Sequence, residues 1–341
     1  MERFCAKPII LVIISLGLLI LGCEEKETSP SLTDYQLNLP KHFPIMKIPQ
    51  DNPLTEEGVL LGRKLYYDPI LSEKGPFHGN SCSSCHIQSE GFTVEGSTIL
   101  PHQNLGWQFN FLWDGKISGK LEDVMMFEVE EFFKTDVELI QTHAEYSKMF
   151  EKVYNISASE IKAESIAKSL AQFIRSLNSS NSKFDHYLEQ KVNLTDSEMR
   201  GLFIFNTEKG DCFHCHQAPL FTDLNFHNIG LDSAFNQNNS GLAIYNQNTF
   251  DIGKYKTPSL RNVGIRTSFM HDGRFKSLEE VIEHYNKGVK RSPYLDPIMF
   301  KNQKMNGLNL SEQDKKDLIA FLNTLTDEAF LTNELYSNPY D

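Results

Sequence analysis

Amphipathic helical segments dominate the chain, and few stretches show the strict alternation of apolar and polar residues that predicts strands. In residues 53–69, apolar side chains recur at helical spacing behind Thr55, a residue type that caps helices, and Pro69 is expected to end the helix. Residues 157–177 follow the same pattern and predict a second amphipathic helix. The pattern therefore predicts a mainly α-helical protein.

The second half of the chain repeats this organisation. Thr195 and Glu198 have the spacing of a capping box, so we expect a helix to begin there. Residues 309–326 predict a closing helix with Ser311 as its cap. The polar residues 178–193 separate the two halves and are the best candidate for a domain junction.

The N-terminal segment has the features of a lipoprotein signal. An apolar run at residues 8–21, preceded by Arg3 and Lys7, is too short to span a bilayer comfortably and leads into a cysteine, Cys23. We expect residues 1–22 to be removed, Cys23 to be acylated, and residues 23–34 to form a flexible linker. An ordinary signal peptide and an uncleaved anchor are the alternatives. Each of these interpretations of the N-terminal segment predicts export, and acylation of Cys23 predicts a membrane-anchored lipoprotein on the periplasmic side.

Length and charge narrow the function classes further. A chain of 341 residues is long enough for two domains with a core each. Its formal net charge of −12 disfavours nucleic acid as a partner and suits a basic protein.

The cysteines carry the most specific information. Two of the six, Cys5 and Cys23, belong to the N-terminal segment, and the other four lie in "CSSCH" at 82–86 and "CFHCH" at 212–216. C-x-x-C-H is the attachment pattern of c-type haem, in which the two thiols bind the porphyrin and the histidine ligates the iron. The sequence therefore predicts two covalent haem c groups with His86 and His216 as ligands.

Three other readings of the cysteines are weaker. A zinc site does not explain why each widely separated pair carries its own adjacent histidine. A thioredoxin-like motif requires a βαβ context that the pattern lacks. A disulfide within each pair leaves both histidines unexplained.

From about residue 35 to the end, the chain resembles the bacterial di-haem cytochrome c peroxidase family, including its MauG-like branch. The stretches that carry the resemblance include "LGRKLYYDPILS", "FNFLWDGK", "CFHCHQAPLFTDLNFHNIGL", "KTPSLRNV" and "FMHDGRFKSLEEVIEHY". The resemblance implies two cytochrome c-like domains, which we place at 35–185 and 186–341, with one haem each.

The same resemblance implies an activity and partners. Members reduce hydrogen peroxide to water in the periplasm with electrons from a small cytochrome c or a cupredoxin, and a homodimer is compatible with it. It implies that the haem of Cys82, Cys85 and His86 reacts with peroxide. The haem of Cys212, Cys215 and His216 is then the electron-transfer haem. Trp113 matches the tryptophan between the haems, where it relays electrons or simply packs in the core.

The sixth ligand of the second haem has two candidates. The resemblance implies Tyr285, a tyrosine as in the MauG-like branch, and Met270 is the next candidate because thioethers also ligate haem. A tyrosine that only packs against the haem is the alternative. His271 and Arg274 are expected to hold propionates or to support the ligands.

Peroxide cleavage needs a group that moves a proton between the two oxygen atoms. The glutamate that has this role in the family aligns best with Glu131, and Glu128 or Glu130 is the alternative. A run of glutamates that simply forms a solvent-exposed acidic face is the non-catalytic interpretation. The glutamine that assists this glutamate in the family aligns with Asp123.

His102 is the only histidine between His86 and Trp113. It either ligates the first iron in the resting protein or has a structural role.

Calcium is a doubtful cofactor for this chain. The family binds it with an asparagine side chain and two backbone carbonyls, which fall near Thr98, Arg266 and Ser268. None keeps the usual residue type, and an arginine opposes a cation.

Three functions follow from these residues. The leading one is a peroxide-reducing oxidoreductase. A MauG-like oxidant of a protein partner is the second, with Tyr285 as its main support. A di-haem electron carrier without peroxidase activity is the third, supported by Asp123.

Overall fold

The computed structural model describes residues 31–299 and 307–341. The predicted signal peptide, Cys23 and residues 24–30 of the predicted linker lie outside the described residues. Within the part that is described, no helix is both long and apolar enough to cross a membrane.

The described chain is mainly helical, as the hydrophobic pattern predicts. The α-helices, in chain order, are α1 Glu56–Tyr67, α2 Leu121–Phe127, α3 Val137–Thr142, α4 Ala144–Tyr154, α5 Ala163–Ser176, α6 Lys183–Leu188, α7 Asp196–Phe205, α8 Ala243–Asn246, α9 Leu278–Glu283, α10 Glu312–Asn323 and α11 Glu328–Thr332. A π-helical turn directly follows α2 at Glu128–Phe132, and another follows α9 at His284–Gly288.

Strands are few and short. β1 (Asn110–Phe111) pairs antiparallel with β2 (Ile117–Ser118), with Asn110 opposite Ser118. β3 (Phe226–His227) pairs antiparallel with β4 (Tyr255–Lys256), with Phe226 opposite Lys256. Each pair only closes a loop, so helix packing builds the fold.

The predicted caps are confirmed, while one predicted boundary is wrong. Thr55, Thr195 and Ser311 each accept a hydrogen bond from the first turn of α1, α7 and α10. The helix predicted from residue 157 begins instead at Ala163, because Ile161 and Lys162 adopt extended backbone conformations.

Two hydrophobic clusters form the core, one in each half of the chain. The first gathers the buried faces of α1, α2, α4 and α5, and the second those of α7, α9 and α10. Phe330 and Leu331 of α11 join the first cluster although they lie at the C-terminal end of the chain. Residues 32–341 form one compact unit, and the domain boundary at residue 185 stays a prediction.

A glycine allows each cluster's main helix pair to approach closely. A Cβ atom at Gly62 of α1 would lie 2.0 Å from the backbone oxygen of Ser169 in α5. A Cβ at Gly201 of α7 would lie 2.0 Å from the oxygen of Asp317 in α10. Each half therefore places the helix before its C-x-x-C-H motif against the last long helix of that half.

The polar stretch at 178–193 is packed rather than extended through solvent. It contains α6, whose Asp185 carboxylate receives two hydrogen bonds from Arg261, each 2.8 Å long. Both side chains are fully buried, and His42 Nε2 lies 2.9 Å from the same carboxylate. The stretch thus ties the two halves together.

Candidate haem sites

The two C-x-x-C-H motifs form the same type of turn. A 3₁₀ turn spans Cys82–Ser84 in the first and Cys212–His214 in the second. The backbone N–H of His86 donates to the oxygen of Cys82 at 3.0 Å, and that of His216 donates to Cys212 at 2.9 Å. No disulfide forms among these four cysteines. The turn thus holds the backbone of each motif histidine against that of its first cysteine.

Each motif histidine is oriented by one backbone carbonyl. The Nδ1 atom of His86 lies 2.8 Å from the oxygen of Phe92, and that of His216 lies 3.0 Å from the oxygen of Phe221. Both phenylalanines adopt left-handed backbone conformations, with φ values of 59° and 53°. Donation from Nδ1 leaves Nε2 available as an iron ligand, which is how ligating histidines are commonly held.

A large cavity adjoins the second motif. It has a volume of about 550 Å³ and is lined by the second motif together with both predicted sixth ligands, Tyr285 and Met270. Its walls are mainly apolar and include Leu318 and Leu322 of α10. These residues fit a haem, a flat and largely apolar group that needs a metal ligand on either side.

Polar and charged groups line the same cavity. His227, Lys256, Arg266 and His271 reach it. Burial lowers the pKa of Lys256 to about 8. Burial opposes the charge on His227, but Asp223 and Asp296, at 2.8 and 2.6 Å, outweigh it and raise the pKa of His227 to about 12. Sequence reasoning missed Lys256, which can hold a propionate as a cation, and His227, whose two ring nitrogens are both bound by these aspartates.

Arg274 has other partners. Its guanidinium pairs with Asp272 and Asp232 and donates to the backbone oxygen of Leu231 at 2.7 Å. His271 stacks on Tyr255, with ring centroids 3.4 Å apart. The expected propionate roles of Arg274 and His271 stay predictions.

The first motif gathers a different set of side chains. His102 stacks on His86 with ring centroids 3.4 Å apart, and its Nδ1 lies 3.1 Å from the hydroxyl of buried Tyr66. Burial lowers the pKa of both imidazoles, that of His86 to about 4. The contact with Tyr66, a residue that sequence reasoning missed, holds His102 beside the proximal ligand.

The three candidate glutamates differ in exposure. Glu131 and Glu130 are exposed, whereas Glu128 is partly buried. Burial raises the pKa of the Glu128 carboxyl to about 7, against a smaller opposing effect of Lys116. Burial and then the charge of Glu128 raise the pKa of the Cys82 thiol, so this carboxyl lies near the first motif. Of the three candidates Glu128 alone is partly buried, and which of them is the acid–base group stays a prediction.

A similar turn precedes Glu128 in the first half and Tyr285 in the second. Leu112 and Gly115 have φ values of 63° and 69°, and Met270 and Gly273 have 68° and 71°. After each turn, a helix passes into a π-helical turn, which carries Glu128 in the first half and Tyr285 in the second. Glu128 is the first residue of its π-helical turn and Tyr285 the second. Burial and then the charges of Cys215 and Cys212 raise the pKa of Tyr285, which lines the cavity of the second motif.

Two further predicted residues have clear local roles. The indole N–H of Trp113 donates to the oxygen of Thr98 at 2.6 Å, and Trp113 lines the large cavity. Asp123 is exposed, and its carboxylate accepts the backbone N–H of Lys120 at 2.6 Å, which caps α2. This contact does not bear on the catalytic role of Asp123, which stays a prediction.

Comparison with known proteins decides the family. Residues 56–193 match the family model described as di-haem cytochrome c peroxidase. The methylamine utilization protein MauG of Methylorubrum extorquens is 32% identical over 299 residues, covering 82% of this chain and 81% of that protein. The chain belongs to the di-haem cytochrome c peroxidase family.

Other relatives represent both branches of this family. Cytochrome c551 peroxidase of Nitrosomonas europaea is 27% identical over 304 residues, covering 83% of this chain and 84% of that protein. A crystal structure described as a MauG-like protein associated with microbial copper homeostasis superposes with a TM-score of 0.81 at 30% identity. It covers 90% of this chain and 100% of that one. The di-haem peroxidase family therefore makes this protein an oxidoreductase with haem c as its cofactor.

Proposed function

We propose that the protein is an exported di-haem c-type peroxidase that reduces hydrogen peroxide to water with electrons from a small redox protein. The observation that carries the proposal is the partly buried carboxyl of Glu128 at the first C-x-x-C-H motif. In this proposal a lipid on Cys23 anchors the protein to the membrane, and a cytochrome c or a cupredoxin is the electron donor.

The motifs hold the two haems covalently in this proposal. Cys82 and Cys85 bind the first, with His86 as ligand, and Cys212 and Cys215 bind the second, with His216 as ligand. The haem irons supply the site of O–O cleavage and the store of electrons that it consumes. Residues 35–185 and 186–341 form the two haem domains.

Glu128 moves the proton that cleavage requires. As a carboxylate it accepts a proton from the oxygen of peroxide nearer the first haem, and as an acid it donates this proton to the departing oxygen. The departing oxygen then leaves as water rather than as hydroxide. A pKa of about 7 suits both steps at neutral pH, because each protonation state is well populated.

Trp113 lies between the two sites in this proposal. Its indole is held by the Thr98 carbonyl, and it lines the cavity that holds Tyr285 and the second motif. An ordered aromatic ring at this place shortens the path for electrons from the second haem to the first.

A MauG-like oxidation of a protein partner is the second candidate function. Tyr285 favours it, because a tyrosine ligand stabilises ferric iron more than a methionine does. The 32% identity to a MauG protein also favours it. Peroxide chemistry at Glu128 is the same in both functions, and only the source of the electrons differs.

Peroxide turnover by the holoprotein tests these functions. With a reduced small cytochrome c or cupredoxin, the peroxidase consumes two donor electrons per peroxide. Rapid reduction of only one peroxide per holoprotein, with the two electrons drawn from the haems and every such donor left reduced, favours the MauG-like function, because further turnover then needs electrons from a protein partner. Absence of peroxide consumption, with both irons six-coordinate and low-spin in every redox state, identifies an electron carrier and overturns both proposals.

A further inference from the structure

Arg266 crosses from the second half of the chain to a loop of the first half. It follows the 3₁₀ turn Val263–Ile265, and its side chain reaches residues 97–99. The guanidinium donates to the backbone oxygen of Ile99 at 3.3 and 3.4 Å and to that of Ser97 at 3.4 Å. One positive group thus contacts two carbonyls of the same loop.

The same loop supports Trp113. The Thr98 carbonyl, between the two carbonyls that Arg266 contacts, accepts the indole N–H at 2.6 Å. Thr93 Oγ1 also donates to the Ile99 oxygen at 2.7 Å. The conformation of residues 97–99 therefore determines where the Trp113 ring lies.

Arg266 is a cation without an anionic partner at contact distance. Among residues 31–299 and 307–341, the hydrogen bonds of its guanidinium go to backbone carbonyls and to no carboxylate, although the side chain is partly buried. Burial lowers its pKa, and the more distant Glu90 offsets only part of this effect. Among the described residues, the guanidinium donates to backbone carbonyls, and backbone carbonyls are also a type of ligand that calcium takes in proteins.

The calcium site that the family resemblance implies falls on these residues, and the residues do not fit it. The Arg266 guanidinium lies against the carbonyls of Ser97 and Ile99, on either side of Thr98, so its positive charge is next to the implied site. Lys276 adds a second cation, with Nζ 3.3 Å from the hydroxyl of Ser268. Thr98 lacks the side-chain carbonyl that the family site supplies, and the two neighbouring cations repel a divalent cation.

We propose that Arg266 is a built-in cation that replaces calcium in holding residues 97–99, and that Trp113 is positioned in this protein without a metal ion. Arg266 is a positioning residue, since it acts on Trp113 through the loop. The inference requires that both haems are bound. It holds equally for a peroxidase that takes electrons from a redox partner and for a MauG-like oxidant of a protein.

Chelation of the unmodified holoprotein gives the first test. We expect EGTA, and separately millimolar calcium, to leave the Tm and the electron paramagnetic resonance spectra of both haems unchanged. A Tm that falls with EGTA and recovers with calcium would overturn the proposal, and this experiment needs no variant.

Substitution of Arg266 gives the second test. Arg266→Gln removes the charge, so we expect a Tm lower by about 3–6 °C and altered spectra and potentials of the haems. Arg266→Lys keeps a positive charge among the carbonyls and is expected to retain the wild-type spectra. Lys148→Gln, at an exposed position in α4, is the matched control for loss of one positive charge.

The two substitutions also distinguish a rival role. Arg266→Lys changes the spectra as much as Arg266→Gln only if the guanidinium acts through a bidentate contact, such as one to a haem propionate. That result would show that the proposal is wrong. Wild-type behaviour of Arg266→Gln contradicts it equally.

Discussion

His86 and His102 hydrogen-bond to the same carbonyl, that of Phe92, through the Nδ1 atom of His86 at 2.8 Å and the backbone N–H of His102 at 3.1 Å. In the second half, Phe221 accepts the equivalent bonds from His216 and from the N–H of Leu260. His102 therefore corresponds to an apolar residue beside the proximal ligand. An iron ligand opposite His86 has to approach from the other face of the haem.

We expect His102→Leu to leave the resting spin state of the first haem unchanged, because leucine occupies the equivalent position at residue 260. Optical and electron paramagnetic resonance spectra of the ferric holoprotein measure this. His78→Leu, at an exposed histidine, is the control. Conversion of a low-spin first haem to high-spin in His102→Leu alone would show that His102 is its ligand.

Glu128→Gln is expected to slow the reaction with peroxide by about 10²- to 10⁴-fold, because the proton carrier is lost. Glu131→Gln, a substitution in the same π-helical turn but at an exposed residue, should react like the wild type. Stopped-flow measurement of the first haem's reaction with peroxide provides the rates. Equal activity of Glu128→Gln and the wild type, with a loss in Glu131→Gln, would return the role to Glu131.

The wild-type rate should also depend on pH through Glu128. Burial raises the pKa of this carboxyl to about 7, so the carboxylate that accepts the first proton forms only as the pH rises through that value. We therefore expect the second-order rate constant for peroxide to increase between about pH 6 and 8 and then to level off. Glu128→Gln should show no such step, and a step that persists in this variant would assign it to another group.

Tyr285→Phe is expected to remove a ligand from the second haem, shifting its spectrum toward five-coordinate iron and raising its reduction potential. Met270→Leu keeps the apolar lining of the same cavity and should preserve the spectrum. Potentiometry followed by optical and electron paramagnetic resonance spectra tests both variants. If only Met270→Leu changes the second haem, methionine is the ligand and the support for a MauG-like function is lost.

Asp185→Asn should destabilise the protein by about 3–5 kcal/mol, since Arg261 is left as a buried charge without its partner. Lys209→Gln breaks the half-exposed pair with Asp314 and should cost no more than about 1 kcal/mol. Denaturant unfolding of the holoprotein measures both differences, and similar losses in the two variants would contradict the expectation.

The same pair has a defined pH dependence. Burial opposes ionisation of Asp185, but hydrogen bonds and charge from Arg261 outweigh it and lower its pKa. A lowered pKa contributes stability that is present above the ordinary value of an aspartate and is lost as the pH falls toward the folded-state value. The difference between wild type and Asp185→Asn should therefore narrow in acid.

The sequence alone determined the features that depend on residues close together in the chain. Thr55, Thr195 and Ser311 cap helices through contacts within a few residues, so their pattern is readable without a fold. The C-x-x-C-H spacing is equally local, and it identified both haem motifs. The start of α5 was missed because the extended backbone at Ile161 and Lys162 leaves no strong pattern in the sequence.

Contacts between distant segments decided the rest. A run of glutamates gives no local reason to prefer one, and only the helix packing buries Glu128 while leaving Glu131 in solvent. The stacking of His102 on His86 and the buried pair of Asp185 with Arg261 likewise join residues far apart in the chain. Arg266 lies more than 160 residues from the carbonyls it contacts. Burial and charge pairing arise when the chain folds, so these roles became visible only in the tertiary structure.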